Sequence, residues 1–294
     1  MAPPQVRVGI VVWNTAELLD RCLSALPAAL AGTDAEVVVV DNASSDPSAA
    51  VAGSHTGVRV VRNPTNLGYA KAMNQALAGT TAEALVALNP DTVAPPGSLA
   101  TLVERLLADP GLALVVPRLV DRDGADQYSV RCFPSPAGAA VACFVPKRWQ
   151  RGRLGRRFRL EEAAGPDMAV DVDWAIGAVH VIRAEALRGR QPYDERWFMY
   201  VEDLELCWWL AQRGWRRRVE AEVAISHVGN ASGELAWGRD YTGRCIDAIY
   251  DWYQRDRGPA PVRAVAALNT LAVAARAAVG VVAGRPADHV AALR

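Results

Sequence analysis

Apolar positions come in short unbroken runs along the first part of this chain, separated by stretches with helical spacing. Residues 6–12, VRVGIVV, have strand length and no helical period. Residues 16–30 place Leu18, Leu19, Cys22, Leu23 and Leu26 on one helical face, with Pro27 near the end. AEVVVVD predicts a second strand ending at Asp41, and residues 58–61 a short third. GYAKAMNQALAGT predicts a helix opening at Gly68, with Gly79 near its C-cap. AEALVALNPD is a fourth strand closing on Asn89 and Asp91, residues 97–108 a further helix, and LALVVP a further strand. Strands this apolar need cover on both faces. The alternation therefore predicts an α/β fold with a single mixed, mostly parallel central sheet flanked by helices. Ligands of such sheets bind at the carboxyl ends of strands, where polar residues gather here.

The pattern changes after Pro117. Residues 118–170 read as irregular and include PKRWQRGRLGRRFR, with seven basic residues between Lys147 and Arg159 and no acid. DVDWAIGAVHVIRAEAL predicts a turn, a strand and a short helix. A helix from Glu202 to Arg213, a strand ending at His227 and a polar helix over 236–253 follow, and the chain closes on an Ala- and Val-rich segment from Pro259. The expected organisation is a domain over 1–235, with a nucleotide-binding half (1–117) and an acceptor-binding half (118–235). A C-terminal helical extension over 236–294 completes it.

Composition narrows the function classes. Acidic and basic residues balance at 32 each, which removes a global reason for nucleic-acid binding. An apolar content of 51% excludes extensive disorder. The opening MAPPQVRVGIVVWN lacks a basic region before a long apolar run, so it reads as a strand and not a signal peptide. The cysteines (22, 132, 143, 207 and 245) form no CxxC, which points to a reducing, cytoplasmic compartment and no zinc knuckle. From Ala264 to Gly284 the only charge is Arg276, but the alanine content favours a docking helix or peripheral membrane contact over a spanning helix. The basic run either is a solvated loop or meets an anionic acceptor or membrane surface. The polar helix serves equally for a homodimer or for internal packing.

The chemistry concentrates in YDERWFMYVEDLELCWWLAQRGW, residues 193–215. Glu202 and Asp203 open a helix behind Trp197, Phe198, Met199 and Tyr200. One carboxylate can take a proton from an acceptor hydroxyl while aromatics exclude water; the same acids also suit a helix N-terminus. Asp203 is the preferred base, and Leu206, Trp208 and Trp209 are expected to pack the helix tightly. Asp41 opens DNASSD, either as a turn cap or as an acceptor from a nucleobase or ribose. Gly68 permits a close approach of backbone to a ligand. Asn89 and Asp91 flank Pro90 just past a strand, either as a plain turn or with Asp91 on a hard divalent cation. His227 is the candidate distant ligand to that cation; His55, His180 and His289 lack comparable surroundings. No GxGxxG or Walker A sequence occurs.

Together VVWN, VVVVDNASSD, NLGYAKAMNQ, ALNPDT, DWAIGAVHVIRAEAL, the 193–215 segment and SHVGNASG resemble the inverting family 2 glycosyltransferases of GT-A fold, with the bacterial rhamnosyltransferases as the nearest subgroup. The resemblance spans about residues 6–235. It implies a nucleotide-sugar donor held by Val12, Asn14, Asp41 and the stretch from Asn66 through Gly68 to Lys71. Asn89 and Asp91 match the family's DxD-like element, with Asn in place of the first Asp. Asp91 is then the carboxylate for Mg²⁺ or Mn²⁺, and His227 lies near the diphosphate. Trp174, Gly177 and Ala178 border donor sugar and acceptor, and Asp203 is the base of a single displacement. The implied donor is dTDP-rhamnose or a UDP-sugar. The implied acceptor is a saccharide or polyprenyl-diphosphate-linked sugar at the inner face of the plasma membrane, with a natural product as an alternative. Two readings compete. A nucleotidyltransferase needs a Gly- and Lys/Arg-rich loop after the first strand, which VVWNTAELL lacks. A non-catalytic nucleotide-sugar-binding scaffold predicts binding without turnover.

Overall fold

The computed structural model describes residues 5–127, 129–145, 149, 169–229 and 241–282. The chain forms two compact units: Met1–Arg131 with Gly165–Ala236, and Cys132–Ala164 with Trp237–Arg294.

The first unit alternates as the apolar runs predict: β1 (Val6–Val12), α1 (Ala16–Ala29), β2 (Ala35–Asp41), α2 (Ser48–Ser54), β3 (Val58–Arg62), α3 (Tyr69–Leu77), β4 (Ala84–Leu88), β5 (Thr92–Val93), α4 (Ser98–Ala108) and β6 (Leu112–Val120). After β7 (Val130–Arg131) it resumes with β8 (Ala169–Asp171), β9 (Trp174–Ala175) and β10 (Val179–Arg183). A 3₁₀ turn (Ala184–Leu187), the helix Glu202–Ala211 and the strand β11 (Arg216–His227) complete it. The helix Glu202–Ala211 is α6, because α5 (Pro136–Phe144) lies in the second unit with α7 (Tyr241–Arg257) and α8 (Pro259–Val282).

Nine strands form one mixed sheet in the order β3-β2-β1-β4-β10-β6-β11-β5, with β8 on β11; β7 and β9 make a separate ribbon. β3, β2, β1 and β4 run parallel, as do β6 and β11, while β10 runs antiparallel between β4 and β6. This is the expected mixed α/β sheet, flanked by helices. Its core is continuous from Val6, Val8 and Ile10 of β1 to Leu19, Leu23 and Leu26 of α1 and Leu99, Leu102 and Leu106 of α4.

Close packing and two arginines, Arg7 and Arg183, hold the helices to the sheet. A Cβ on Gly9 would come within 2.9 Å of Ala76 Cβ and Leu77 Cδ2, so glycine lets α3 lie flat on β1. Arg7, 2% exposed, donates to the carbonyls of Ala76 (3.2 Å) and Ala78 (2.7 Å) and pairs with Glu36 at 2.6 Å. Arg183 donates to the carbonyls of Leu106, of Asp109 at 3.0 Å and of Leu112 at 2.7 Å. Each arginine satisfies carbonyls that a helix end leaves without intrahelical donors.

Three expectations change. Residues 118–170 are not uniformly irregular: β6 continues through Arg118 to Val120, and Asp121 turns the chain by accepting from the N–H groups of Asp123 and Ala125 (2.9 Å each). α5 also falls in this stretch, where Ser135 accepts from Gly138 N at 3.0 Å and Pro136 opens the helix. α2 was not foreseen, being one short turn rich in Ala and Ser. Residues 132–164, expected in the acceptor half, group with the C-terminal helices instead. Cys143 Sγ lies 3.3 Å from Asn269 Oδ1, and Asn269 Nδ2 donates to Tyr250 Oη at 2.7 Å, linking α5, α8 and α7. Trp252 and Tyr253 are buried. The basic run from Lys147 to Arg159, apart from Trp149, lies outside the described residues.

Candidate active site

One edge of the first unit's sheet gathers the polar residues. β1 ends beside β2 with Val12 opposite Asp41, and Leu88 of β4 faces Val179 at the start of antiparallel β10. The turns carrying Asn14, Asp41, Asn89, Asp91 and Gly177 all emerge there. His227 ends β11 and pairs with Thr92 of β5, which brings a residue 135 positions later back beside the NPD turn.

Asp91 and His227 meet, with Asp91 Oδ1 and His227 Nε2 3.4 Å apart and both side chains about nine-tenths buried. Val228 N also donates to the Asp91 carbonyl at 3.0 Å. Asn89 donates its backbone N–H to Ala178 O at 2.9 Å, and its carbonyl accepts from Thr92 Oγ1 at 2.7 Å. Its side-chain Oδ1 is buried with no hydrogen-bond partner. A carboxylate, an imidazole nitrogen and an amide oxygen are a fitting donor set for a hard or borderline divalent cation. Adjacent ligands of a cation bound at roughly 2.1 Å lie about 3 Å apart, close to the Asp91–His227 separation. Among the described residues no three His, Cys, Asp or Glu side chains converge on a cation, so Asp91 and His227 would share it with diphosphate oxygens or water.

The carboxylate pair lies at the N-terminus of α6. Asp203 Oδ2 accepts from Gly177 N at 3.0 Å and Oδ1 from Leu204 N at 2.7 Å. Burial raises its pKa above the ordinary carboxylate value, while these two N–H groups and the nearby Arg131 guanidinium pull it back. Glu202 is 7% exposed and its Oε2 has no partner. Burial first, and then the Asp203 charge, push its carboxyl well above the usual range. The environments separate the two acids: Glu202 Oε2 has no partner, whereas Asp203 accepts from two backbone N–H groups.

The backbone leading into α6 is strained. Tyr200 and Val201 both have positive φ, 68° and 75°. For β-branched Val201 this costs on the order of 1–3 kcal/mol, the kind of strain retained at functional sites. α3 holds the segment in place. Asn74, 2% exposed, donates to Tyr193 O at 2.8 Å and accepts from Tyr193 N at 3.0 Å. Tyr69 N donates to Phe198 O at 2.6 Å, and Tyr69 Oη donates to Gly177 O at 3.3 Å. Behind it, Tyr193 donates to His180 Nδ1 at 3.2 Å, because His180 Nε2 donates to Ala175 O at 3.1 Å. Burial lowers His180 to about 4, so it is neutral at pH 7. Tyr69 is pushed well above the usual phenol range by burial and then by Glu202, Asp203 and Asp91.

Other predicted residues hold the loops together. Asn14, at φ 54°, accepts from Ser45 N at 2.7 Å. Asp41 accepts from Ser44 N at 3.1 Å, so the turn-cap role is real. Asn66 Oδ1 accepts from Asn42 Nδ2 (2.8 Å) and Gly68 N (2.9 Å). Lys71 is exposed on the first turn of α3. Trp174 is buried in β9, with the Arg131 guanidinium 5.7 Å from its ring centre.

Three residues have surroundings the sequence did not show. The Val12 side chain is fully buried in the core, and its carbonyl accepts from Asn42 N at 2.9 Å. Gly68 serves a close approach to Phe198: at φ 83°, a Cβ there would lie 2.4 Å from Phe198 O. Trp209 does not pack α6 into the core but lies between the guanidinium groups of Arg213 (3.8 Å) and Arg190 (4.5 Å). The sequence reading missed Arg131, Asn74, His180 and Gln127. Asn74 and His180 carry no local signal, and Gln127 sits in an ordinary polar loop.

The model of glycosyl transferase family 2 matches residues 7–170. The chain belongs to this family. Among curated relatives, an N-acetylglucosaminyl-diphospho-decaprenol L-rhamnosyltransferase of Mycobacterium tuberculosis is 30% identical over 240 residues, covering 76% of each protein. A pre-mycofactocin glycosyltransferase of the same species is 30% identical over 228 residues, covering 76% of this chain and 42% of that protein. A mannosyltransferase from Pyrobaculum calidifontis, solved with GDP-Man and Mn²⁺, superposes with a TM-score of 0.60 at 22% identity, covering 95% of this chain and 78% of that one. The glycosyltransferase fold of this chain is GT-A, as the motifs imply.

Proposed function

We propose that this family 2 glycosyltransferase transfers L-rhamnose from dTDP-rhamnose, with inversion, to a saccharide carried on a polyprenyl diphosphate. The observation that supports an active transferase is that the Gly177–Ala178 turn joins the two acidic elements: Ala178 O accepts from Asn89 N of the NPD turn at 2.9 Å, and Gly177 N donates to Asp203 Oδ2 of α6 at 3.0 Å. Donor and acceptor are proposed from the rhamnosyltransferase relative, which aligns over three-quarters of both chains.

Asp203 takes the proton of the acceptor hydroxyl. The hydroxyl oxygen bonds to the anomeric carbon as the bond from that carbon to the diphosphate oxygen breaks, and a nucleoside diphosphate leaves. The pull of burial makes Asp203 a stronger base than an exposed carboxylate, and its two backbone donors hold it in one orientation. Asp91 and His227 would hold a divalent cation, Mg²⁺ or Mn²⁺, which supplies charge neutralisation at a diphosphate.

Among the described residues no helix is long and apolar enough to cross a membrane. Peripheral contact at the cytoplasmic membrane face suits a lipid-linked acceptor. It is supported by the exposed Phe144, Trp149, Ile246 and Leu271 of the second unit and by the basic run that follows Phe144 in sequence. The pre-mycofactocin relative, equally identical, supports a second reading with a natural-product acceptor. Calorimetric titration of dTDP-rhamnose against UDP- and GDP-sugars, followed by acceptor screening of lipid-linked and natural-product saccharides, separates them. Preference for a UDP-sugar and a soluble acceptor would replace the first reading with the second.

A further inference from the structure

Gln127 grips His227 at two points. Its Nε2 donates to the His227 carbonyl at 2.7 Å, and its Oε1 lies 2.8 Å from His227 Nδ1. The first contact orients the amide, since a carbonyl oxygen only accepts and the NH₂ group must therefore face it. Oε1 then faces Nδ1 and cannot donate, so Nδ1 must carry the proton. In the neutral imidazole, the form that can ligate a metal, the single N–H is then on Nδ1 and Nε2 carries the lone pair; that nitrogen is the one facing Asp91 Oδ1 at 3.4 Å.

Backbone geometry brings Gln127 there. The turn at Asp121 reverses the chain after β6, and Gln127 N donates to Leu119 O at 3.0 Å. Leu119 pairs with Ile225, two residues before His227.

We propose that Gln127 is a positioning residue that fixes His227 in its Nδ1-protonated form and so presents Nε2, beside Asp91, to a divalent cation. The proposal rests on the cation role given to Asp91 and His227 above. His180 supplies an internal contrast: it donates from Nε2 to Ala175 O and is the opposite tautomer.

The test is ¹⁵N NMR of histidine-labelled, metal-free full-length protein, with Mn²⁺ titration in the presence of dTDP as a second readout. Wild type is expected to show His227 protonated at Nδ1 and His180 at Nε2. Gln127→Leu, which removes both contacts, is expected to lose the fixed His227 tautomer, leave His180 unchanged and weaken Mn²⁺ binding about 10–100-fold. Gln127→Glu, which keeps an acceptor for Nδ1–H, is expected to retain the tautomer. A Gln127→Leu protein with unchanged His227 signals and Mn²⁺ affinity overturns the proposal. Wild type that shows the Nδ1–H tautomer but binds no Mn²⁺ overturns it through its cation premise, and the metal-free spectra separate that failure from a failure of Gln127.

Discussion

The backbone N–H of Gly177 donates to Asp203 Oδ2 at 3.0 Å and so ties the turn before β10 to the first turn of α6. A Cβ at position 177 would stand 3.3 Å from Asp203 Cβ, so the turn and the carboxylate are in contact. Asp203 is therefore oriented from outside its own helix, by the loop that borders the sheet edge.

Asp203→Asn removes the base and puts an NH₂ where one backbone N–H needs an acceptor. Turnover is expected to fall about 10²–10⁴-fold, while dTDP binding, proposed for the β1, β2 and α3 loops, is expected to be retained. Steady-state release of nucleoside diphosphate with parallel calorimetry checks both halves.

Glu202 sets a pH dependence of stability. Its folded pKa is raised well above 4.5. The stability it contributes is fully present below the unfolded value, near 4.5, and is lost as pH rises through the folded value. Glu202→Gln mimics the neutral acid at every pH. Its Tm is expected to decline less than that of wild type above pH 4.5, with the two converging at acid pH; thermal melts across pH 4–9 show this. Asp203, also raised above its ordinary 3.8, places the acid limb of kcat/KM above the range of an exposed aspartate.

Gly68→Ala combines a φ of 83° with a Cβ 2.4 Å from Phe198 O. A compatible Gly→Ala change stabilises by about 0.4–1 kcal/mol; here a loss larger than that is expected, as read by urea denaturation. Because Phe198 leads into strained Tyr200 and Val201, turnover is expected to drop in protein that is still folded.

Asp91→Asn lowers the charge beside His227. Mn²⁺ affinity with dTDP present is expected to fall at least about tenfold, and EDTA is expected to reduce wild-type turnover toward that of the variant. Titration calorimetry and the diphosphate assay measure each effect.

The sheet was legible because its strands are apolar throughout and its helices keep a clear period, as in VRVGIVV followed by Leu19, Cys22, Leu23 and Leu26. Asp41, Asn89, Asp91, Asp203 and His227 stood out because each closes a strand or opens a helix. What stayed hidden depends on contacts between distant residues. Nothing in MNQ announces that Asn74 grips Tyr193, 119 positions on, and nothing in ADQ ties Gln127 to His227, 100 positions away. Gly68 was readable as a close approach, but which atom approaches is a tertiary fact. Trp209 followed composition into the core, whereas two arginines hold it at the surface.

The most direct measurement is transfer from dTDP-rhamnose to a short polyprenyl-diphosphate N-acetylglucosamine, with product anomeric configuration read by NMR for wild type and Asp203→Asn. The expected result is a rhamnosylated product with configuration opposite to the donor's, formed by wild type and lost in the variant, which still binds dTDP. Retained configuration, or undiminished transfer by Asp203→Asn, would contradict single displacement with Asp203 as base.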